Sequence, residues 1–465
     1  MIFLVPIALF GWIPLVIGLF MMLPPRRAVI VSFLLAWLFL PMAGFSVAGL
    51  PDYTKMSATC AGVLLGAALF DADRVLSFRF KWVDLPIALY CVSPFFTSVF
   101  NGLGAYDGCS IVLRQSVAWG LPYLIGRVYF SDPDGIRELA IGIFIGGLVY
   151  IPLCWLEIRL SPQLHAWVYG YHQHSFLQTM RFGGFRPMVF MQHGLMVSMW
   201  MALTTLVGYA LWWSRSITQI WNIPSILLVL ALGVTALMCK SSYAILLLAA
   251  GAAALFLTQI TRTRLFVIAL LLFPPTFIAL RASLVFDGMA LVELVNRNMG
   301  EERAHSIWTR VANENLLAEK AMERPVFGWG TWGDARIQGD TGGTAGVIDS
   351  LWIIVLGTQG LVGLIALILM LLLPMCLVLY NYRPVLWSHP RVAPLAVLAL
   401  ILVLYMFDHL MNAMVNPIFM LACGAVNSSH LWAAAQRRLA TAAYSQSKVA
   451  AQRSPRFGIS RPQPV

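Results

Sequence analysis

Apolar runs of about 15–23 residues recur along most of the chain, and they constrain its fold more than any other feature of the sequence. A helical run of that length crosses a hydrocarbon layer of about 30 Å. Backbone amides find no water inside lipid, so each run must satisfy its own hydrogen bonds as a helix, and the alternating pattern of a membrane β-barrel is absent. The sequence therefore predicts an all-α, polytopic transmembrane helical bundle.

Composition supports this interpretation. The chain is 60% hydrophobic and 11% charged, which is too apolar for an ordinary soluble domain. The seven cysteines are scattered without metal-type spacing and are interpreted as packing residues. We predict about 12–13 spans, from candidates at Ile2–Leu23, Ala28–Ala43, Met56–Phe70, Leu85–Phe100, Ser110–Phe130, Leu139–Leu156, Met191–Trp213, Pro224–Met238, Tyr243–Leu257, Leu265–Leu280, Ser350–Leu379, Val392–Phe407 and Pro417–Trp432.

The basic tail after Trp432 sets the predicted orientation, because it carries six Lys or Arg and no acidic residue. The positive-inside rule places such a tail in the cytoplasm. Counting spans backwards puts most basic loops on that same side and the long polar segment outside. Membrane orientation thus explains the formal net charge of +11 more economically than nucleic-acid binding does.

Four regions follow from these spans. Residues 1–281 are predicted to form an N-terminal transmembrane bundle that includes an outer loop at 157–190. Residues 282–349 form one large, partly helical outer loop, and residues 350–432 form the C-terminal transmembrane helices. Residues 433–465 form a basic tail whose Ser, Arg, Gln and Pro content predicts disorder.

The large outer loop differs from the rest of the chain in charge, with six Lys or Arg against ten Asp or Glu. Apolar residues at helical spacing predict a helix over Ser306–Arg324, from which Arg310 projects and which Pro325 follows. Trp329 and Trp332 come next, among glycines. Their rings are typical of a lid that stacks on sugar faces, but they also suit a rigid amphipathic cap at the membrane interface.

The outer loop at 157–190 gathers cations beside the start of a span. Arg181 and Arg186 flank a glycine pair and can present forked donors to a phosphate while the glycines permit close approach. Arginines that reach towards lipid headgroups are the alternative interpretation. His193 follows in the same segment. The nearby His-x-His pair lacks helical spacing and a matching carboxylate, so we predict no metal site.

Three further charges lie at predicted span ends. Lys240 and Arg114 could complete a positive pocket or only anchor their helices, because charges at the edge of hydrocarbon are functional candidates. Asp349 precedes the apolar run that re-enters the membrane, where a carboxylate can act as a general base. Helix capping by Asp349 or Ser350 is the alternative.

Three segments give the chain a resemblance to the O-antigen ligase and polysaccharide polymerase superfamily of bacterial inner-membrane proteins. They are RFGGFRPMVFMQHG at Arg181–Gly194, Arg310 with its helix and the ERPVFGWG of Glu323–Gly330, and DSLWIIVLGTQGLVGL at Asp349–Leu364. Their order, spacing and predicted outer location resemble the family. The resemblance covers residues 181–364, and the rest of the chain matches only in topology. The chain departs from the ligases in having Asp349-Ser350 where they have His-Asn, which resembles the exopolysaccharide polymerase branch.

The resemblance implies a glycosyltransferase that moves a glycan from undecaprenyl pyrophosphate to a sugar hydroxyl, with inversion and without a metal or other cofactor, on the periplasmic face of the inner membrane. Arg310 and Asp349 would be catalytic, with Asp349 as the base. Binding of pyrophosphate and glycan would fall to Arg181, Arg186, Lys240, Arg114, His193, Trp329 and Trp332. A flippase and a chain-length-regulating co-polymerase are the implied protein partners.

Two other functions are weighed against this polymerase. One is an O-antigen ligase proper, which joins the glycan to lipid A core. The other is a transporter of polysaccharide or lipid-linked sugar. Transporters tend to have paired broken helices or mid-membrane charges in two matched halves. Here the charges concentrate at one face and in one loop, which favours the polymerase.

Overall fold

The computed structural model describes residues 3–47, 49–181, 183–336 and 349–429. It is all-α and 75% helical, which confirms the predicted fold class of a polytopic membrane protein. Two predicted features lie outside the described residues: the basic tail 433–465 and positions 337–348 of the large loop.

The helices are numbered in chain order. They are α1 Leu4–Phe10, α2 Trp12–Met22, α3 Pro25–Phe39, α4 Lys55–Phe70, α5 Ala72–Leu76, α6 Leu85–Phe100, α7 Ala105–Gln115, α8 Leu121–Tyr129, α9 Pro133–Leu160, α10 Leu164–Tyr169, α11 Gly194–Trp213, α12 Ser225–Met238, α13 Ser242–Thr261, α14 Leu265–Ala282, α15 Met289–Met299, α16 Glu301–Met322, α17 Trp332–Ala335, α18 Leu351–Asn381, α19 Ala393–Asp408 and α20 Pro417–Ser429.

Short elements connect these helices. The 3-10 turns are Trp82–Asp84, Phe176–Thr179 and Pro384–Ser388, and one π-helical turn is Ser116–Gly120. Three antiparallel hairpins pair β1 Gly44–Val47 with β2 Leu50–Thr54, β3 Met180–Arg181 with β4 Gly184–Phe185, and β5 Gln219–Ile220 with β6 Ile223–Pro224. The π-helical turn divides the run that was predicted as one span at Ser110–Phe130 into α7 and α8.

Within the residues that the structure describes, six helical segments are long and apolar enough to cross a membrane: Trp82–Phe100, α9, α11, α13, α14 and α18. The pair α1 and α2, bent by 43°, would make a seventh. The predicted count of 12–13 is larger because it also included shorter runs. Among these, α4, α12, α19 and α20 have at most 17 residues, and a helix of that length rises only about 25 Å.

The centre of the bundle is formed by α11 and α19. In α11, 89% of the residues in its most apolar 18-residue stretch are buried, and every residue of α19 except Phe407 is buried. A helix that is apolar on all sides is stable in such a central position. The two helices pack against each other, and α11 also contacts α9, α12 and α13. This rigid centre fixes the start of α11, beside which part of the candidate site lies.

A turn after α16 docks against a break in α18. At Gly360 the backbone turns to φ 65° and ψ −162°, which interrupts the helix. The backbone groups that have no partner within the helix bond to the turn instead: Leu361 N donates to Pro325 O at 2.7 Å, and Gly357 O accepts from Trp329 N at 2.8 Å. A Cβ atom at Gly360 would overlap Val326 O. The glycines on both sides therefore allow backbone to pack on backbone.

This docking defines one end of the bundle. Asn101, just after α6, donates its side-chain amide to Gly328 O at 3.0 Å, so α6 ends at this turn, beside the break in α18. We call this end the loop face, since α15, α16 and α17 lie there. The predicted helix Ser306–Arg324 is confirmed by α16, which begins five residues earlier, at Glu301, and ends two residues earlier, at Met322.

Candidate functional site

The large loop and the membrane helices meet at an ion pair. Arg310, on α16, donates from Nη2 to Asp349 Oδ2 at 3.2 Å, and Asp349 lies directly before Ser350 and α18. The two side chains are 39% and 42% exposed. Both therefore remain accessible to a substrate, and the guanidinium keeps further N–H donors for it.

A buried polar network holds this pair in place. Arg281, at the end of α14, donates to Glu314 Oε2 at 3.0 Å, and Glu314 Oε1 accepts from the Ser350 hydroxyl. Arg281 also donates to Asn315 Oδ1. Glu314 lies one turn after Arg310 on α16, so the network ties α14, α16 and the start of α18 together. Arg281 and Glu314 were not among the residues predicted from the sequence.

Neither Asp349 nor Ser350 caps α18 with its side chain. The Ser350 side chain makes no capping hydrogen bond to this helix, and Asp349 pairs with Arg310. The first amides of α18 are instead satisfied by backbone carbonyls of the α19–α20 connection: Leu351 N donates to Asn412 O, and Trp352 N donates to His409 O. The capping alternative for Asp349 and Ser350 is therefore wrong in this structure.

A second group of cations surrounds the hairpin β3–β4. Arg186, only 7% exposed, donates from Nη2 to Lys240 O at 2.9 Å, and Lys240 donates from Nζ to Arg181 O at 3.2 Å. A Cβ atom at Gly184 would overlap Lys240 Nζ, and one at Gly194 would lie 2.5 Å from Arg186 Cδ. Because Gly184 and Gly194 have no side chains, Lys240 and Arg186 can pack directly against the backbone at these positions.

Glu157, near the end of α9, fixes the backbone that carries Arg186. Its buried carboxylate accepts from Met188 N at 2.8 Å, from Val189 N at 2.7 Å and from Leu164 N at 3.0 Å. Three amide donors leave little freedom for that segment. In the sequence, Glu157 was recognisable only as the start of the outer loop at 157–190.

His193 connects the two groups of charges. It caps α11, because its Nδ1 accepts from Leu195 N at 3.0 Å, and its ring meets that of His174 edge-on at 4.6 Å. Burial lowers the pKa of His193 to about 4, and the charges of His174, Arg186, Arg181 and Arg310 add to this effect. The three arginines therefore act on one point of the loop face.

Burial and the charge of Arg181 likewise lower the pKa of Arg186, to about 10. An anion that enters this region would be attracted by several fixed cations from which water is partly excluded. In the part of the chain that the structure describes, the buried Nε of Arg186 has no hydrogen-bond partner. It is a buried donor that could bind an incoming anion.

His193 makes stability depend on pH. The unfolded chain binds the imidazole proton near pH 6.5 and the native chain near pH 4. We therefore expect the free energy of unfolding to fall by up to about 1.4 kcal/mol per pH unit as the pH falls through this window. His193→Asn, which retains a capping side chain, should flatten this dependence. Melting temperatures of both proteins in detergent between pH 7.5 and pH 4.5 test this. Equal slopes would show that the pKa of His193 is not lowered in the native state.

The other predicted residues lie elsewhere. Arg114 is exposed on α7 and makes no hydrogen bond, ion pair or ring contact with another described residue. Trp329 and Trp332 follow the C-terminal end of α16. Cations lie over both rings: Arg324 at 4.1 Å and Lys320 at 5.0 Å over Trp329, and Arg336 at 5.1 Å over Trp332. These tryptophans thus form a separate group.

No protein-family model matches this chain, and neither a curated protein nor a solved structure is significantly similar to it. The arrangement of side chains described above is therefore the basis for any functional conclusion.

Proposed function

We propose that the chain is a membrane glycosyltransferase of the O-antigen ligase and polysaccharide polymerase type. It would transfer a glycan from undecaprenyl pyrophosphate to a sugar hydroxyl on the periplasmic face of the bacterial inner membrane. The observation that carries this proposal is the Arg310–Asp349 ion pair directly before α18, together with the cations Arg181, Arg186 and Lys240 held around the hairpin β3–β4.

The leaving group explains the need for these cations. Breaking the bond between the anomeric carbon and the diphosphate leaves an electron pair, and with it negative charge, on undecaprenyl pyrophosphate. Fixed guanidinium groups in a partly dry site stabilise that charge without reorganising, and their forks match phosphate oxygens. Lys240, whose Nζ lies at Arg181 O, adds a point charge to the same side.

Asp349 is the proposed base. The acceptor hydroxyl would attack the anomeric carbon from the side opposite the diphosphate, and its proton would pass to the Asp349 carboxylate. The ion pair with Arg310 orients that carboxylate, and the buried Arg281–Glu314–Ser350 network holds the backbone on both sides of the pair. Such positioning of reacting groups supplies a large part of an enzymatic rate enhancement.

Asp349→Asn tests this role, because it keeps size and an oxygen acceptor towards Arg310 but cannot take up the proton. We expect the transfer rate to fall about 100-fold or more while the amount of folded protein stays normal. The matched control is Asp287→Asn, since Asp287 is an exposed residue before α15 in the same loop. Wild-type rates in Asp349→Asn would refute its role as base.

Analysis of what accumulates on undecaprenyl pyrophosphate tests the proposed function itself. Cells that lack the protein should accumulate a single unpolymerised repeat on this lipid on the periplasmic side. Long lipid-linked polymer that never reaches lipopolysaccharide would instead identify the ligase activity. Lipid-linked repeats held on the cytoplasmic side would identify a transporter and overturn the proposal.

A further inference from the structure

A second cationic site lies at the loop face, beside the C-terminal end of α16. Its cavity has a volume of about 500 Å³ and is lined by Lys320, Arg324, Trp329, Asp334 and Arg336, with Asn101 and Leu103 from the connection after α6. Ten residues separate Arg310 from Lys320, which is about 15 Å along a helix. The cavity is therefore distinct from the proposed transfer site.

The charge of this cavity is opposite to that of its surroundings. The loop 282–349 has an excess of acidic residues, but the cavity lining has three cations and one carboxylate. Asp334 already accepts from the Thr331 hydroxyl at 2.6 Å in the cap of α17. Among the described residues, no carboxylate forms an ion pair with any of the three cations. Positive charge in a concave site that has no paired carboxylate among the described residues favours an anionic ligand.

The cations are held in place by neutral groups. The Arg324 guanidinium stacks over Trp329 at 4.1 Å and donates to Asn101 Oδ1, and Lys320 Nζ donates to Arg336 O at 2.6 Å. Trp329 is itself fixed, because its Nε1 donates to Lys320 O at 2.9 Å. Donors fixed before binding lose little entropy when a ligand arrives. Each cation also keeps N–H donors beyond those bonds.

We propose that this cavity binds an acidic sugar, of the uronic acid class, in the glycan acceptor. A planar carboxylate fits the fork of Arg324, and the ammonium of Lys320 adds charge. The apolar face of the sugar ring suits Leu103 in the cavity wall, while the Trp329 ring holds the Arg324 guanidinium in place. This inference rests on the proposed function, which it deepens by naming the substrate class: the polymer would carry carboxylates.

Binding without any donor lipid tests this inference separately from transfer. We would titrate purified protein in nanodiscs with a glucuronate tetrasaccharide and with the glucose tetrasaccharide of the same linkage. The acidic ligand should bind at least about tenfold more tightly. Arg324→Gln and Lys320→Gln should each remove most of that difference, whereas Arg297→Gln, at an exposed residue of α15 that pairs with Glu293, should not.

The outcomes are distinct. Equal affinity for the two tetrasaccharides, or an acidic preference that survives both substitutions, would overturn the acidic-sugar site while the transfer chemistry at Arg310 stands. If Arg324→Gln weakened binding of undecaprenyl pyrophosphate instead, the cavity would belong to the donor and the inference would also fail. If transfer itself were never observed, the proposed function would fail whatever the tetrasaccharides do.

Discussion

Replacing Arg310 by alanine is expected to lower the rate of glycan transfer about 100- to 1000-fold, which is the usual effect of removing one fixed donor from a developing negative charge. Arg310 is the residue through which α16 contacts Asp349, and it also acts on His193 together with Arg181 and Arg186. Its loss would remove transition-state stabilisation and leave Asp349 without its ion pair. The measurement is polymer formation by purified protein from lipid-linked repeat units.

Two further variants make this result specific. Arg310→Lys retains the charge but not the fork, so it should recover only part of the activity. Arg297→Ala removes an exposed arginine of the same loop, whose ion pair with Glu293 contributes little, and it should behave as wild type. Full-length polymer from Arg310→Ala at a normal rate would remove Arg310 from the mechanism.

Replacing Gly360 by alanine should disrupt the contact by which the turn after α16 docks on α18. The position has φ 65° and ψ −162°, a region that is essentially open only to glycine, and occupying it costs another residue about 1–3 kcal/mol. The added Cβ would also overlap Val326 O, so the backbone bonds at Pro325 and Trp329 should break. We expect rapid proteolysis within the turn at 323–330 and loss of transfer.

The control for this variant is Gly233→Ala. Gly233 lies inside α12, where the new methyl group would meet only Thr205 Cγ2, at 3.7 Å. It should keep the melting temperature, the protease resistance and the activity of the wild type. A Gly360→Ala protein with the same protease resistance as this control would show that the turn does not depend on the break in α18.

The sequence predicted the class of fold well, because runs of apolar residues are a local property. The helix that carries Arg310 was also predictable, since its apolar residues repeat at helical spacing and Pro325 follows it. The predicted count of 12–13 spans exceeds the six helices, or seven with the bent pair, that are long and apolar enough among the described residues, because it also included apolar runs shorter than the length of a full span. Hydropathy gives that length only to within a few residues.

Contacts between distant segments could not be predicted in the same way. Arg281 looks in sequence like a cation at the end of a span, and nothing local indicates that it pairs with Glu314, 33 positions later. The glycines around 328 and 360 were noticed in two separate motifs. Their shared reason, backbone packed on backbone, appears only when α16 and α18 lie together. The cations over Trp329 likewise depend on how the turn closes.

Release of undecaprenyl pyrophosphate during polymer growth tests the central claim most directly. Purified protein in nanodiscs would receive a lipid-linked repeat unit, and the free lipid diphosphate and the new glycosidic linkages would be counted in the same sample. We predict one diphosphate for each linkage with the wild type, and neither product with Arg310→Ala. Linkages without diphosphate release, or intact lipid-linked repeats carried across the bilayer, would contradict the claim.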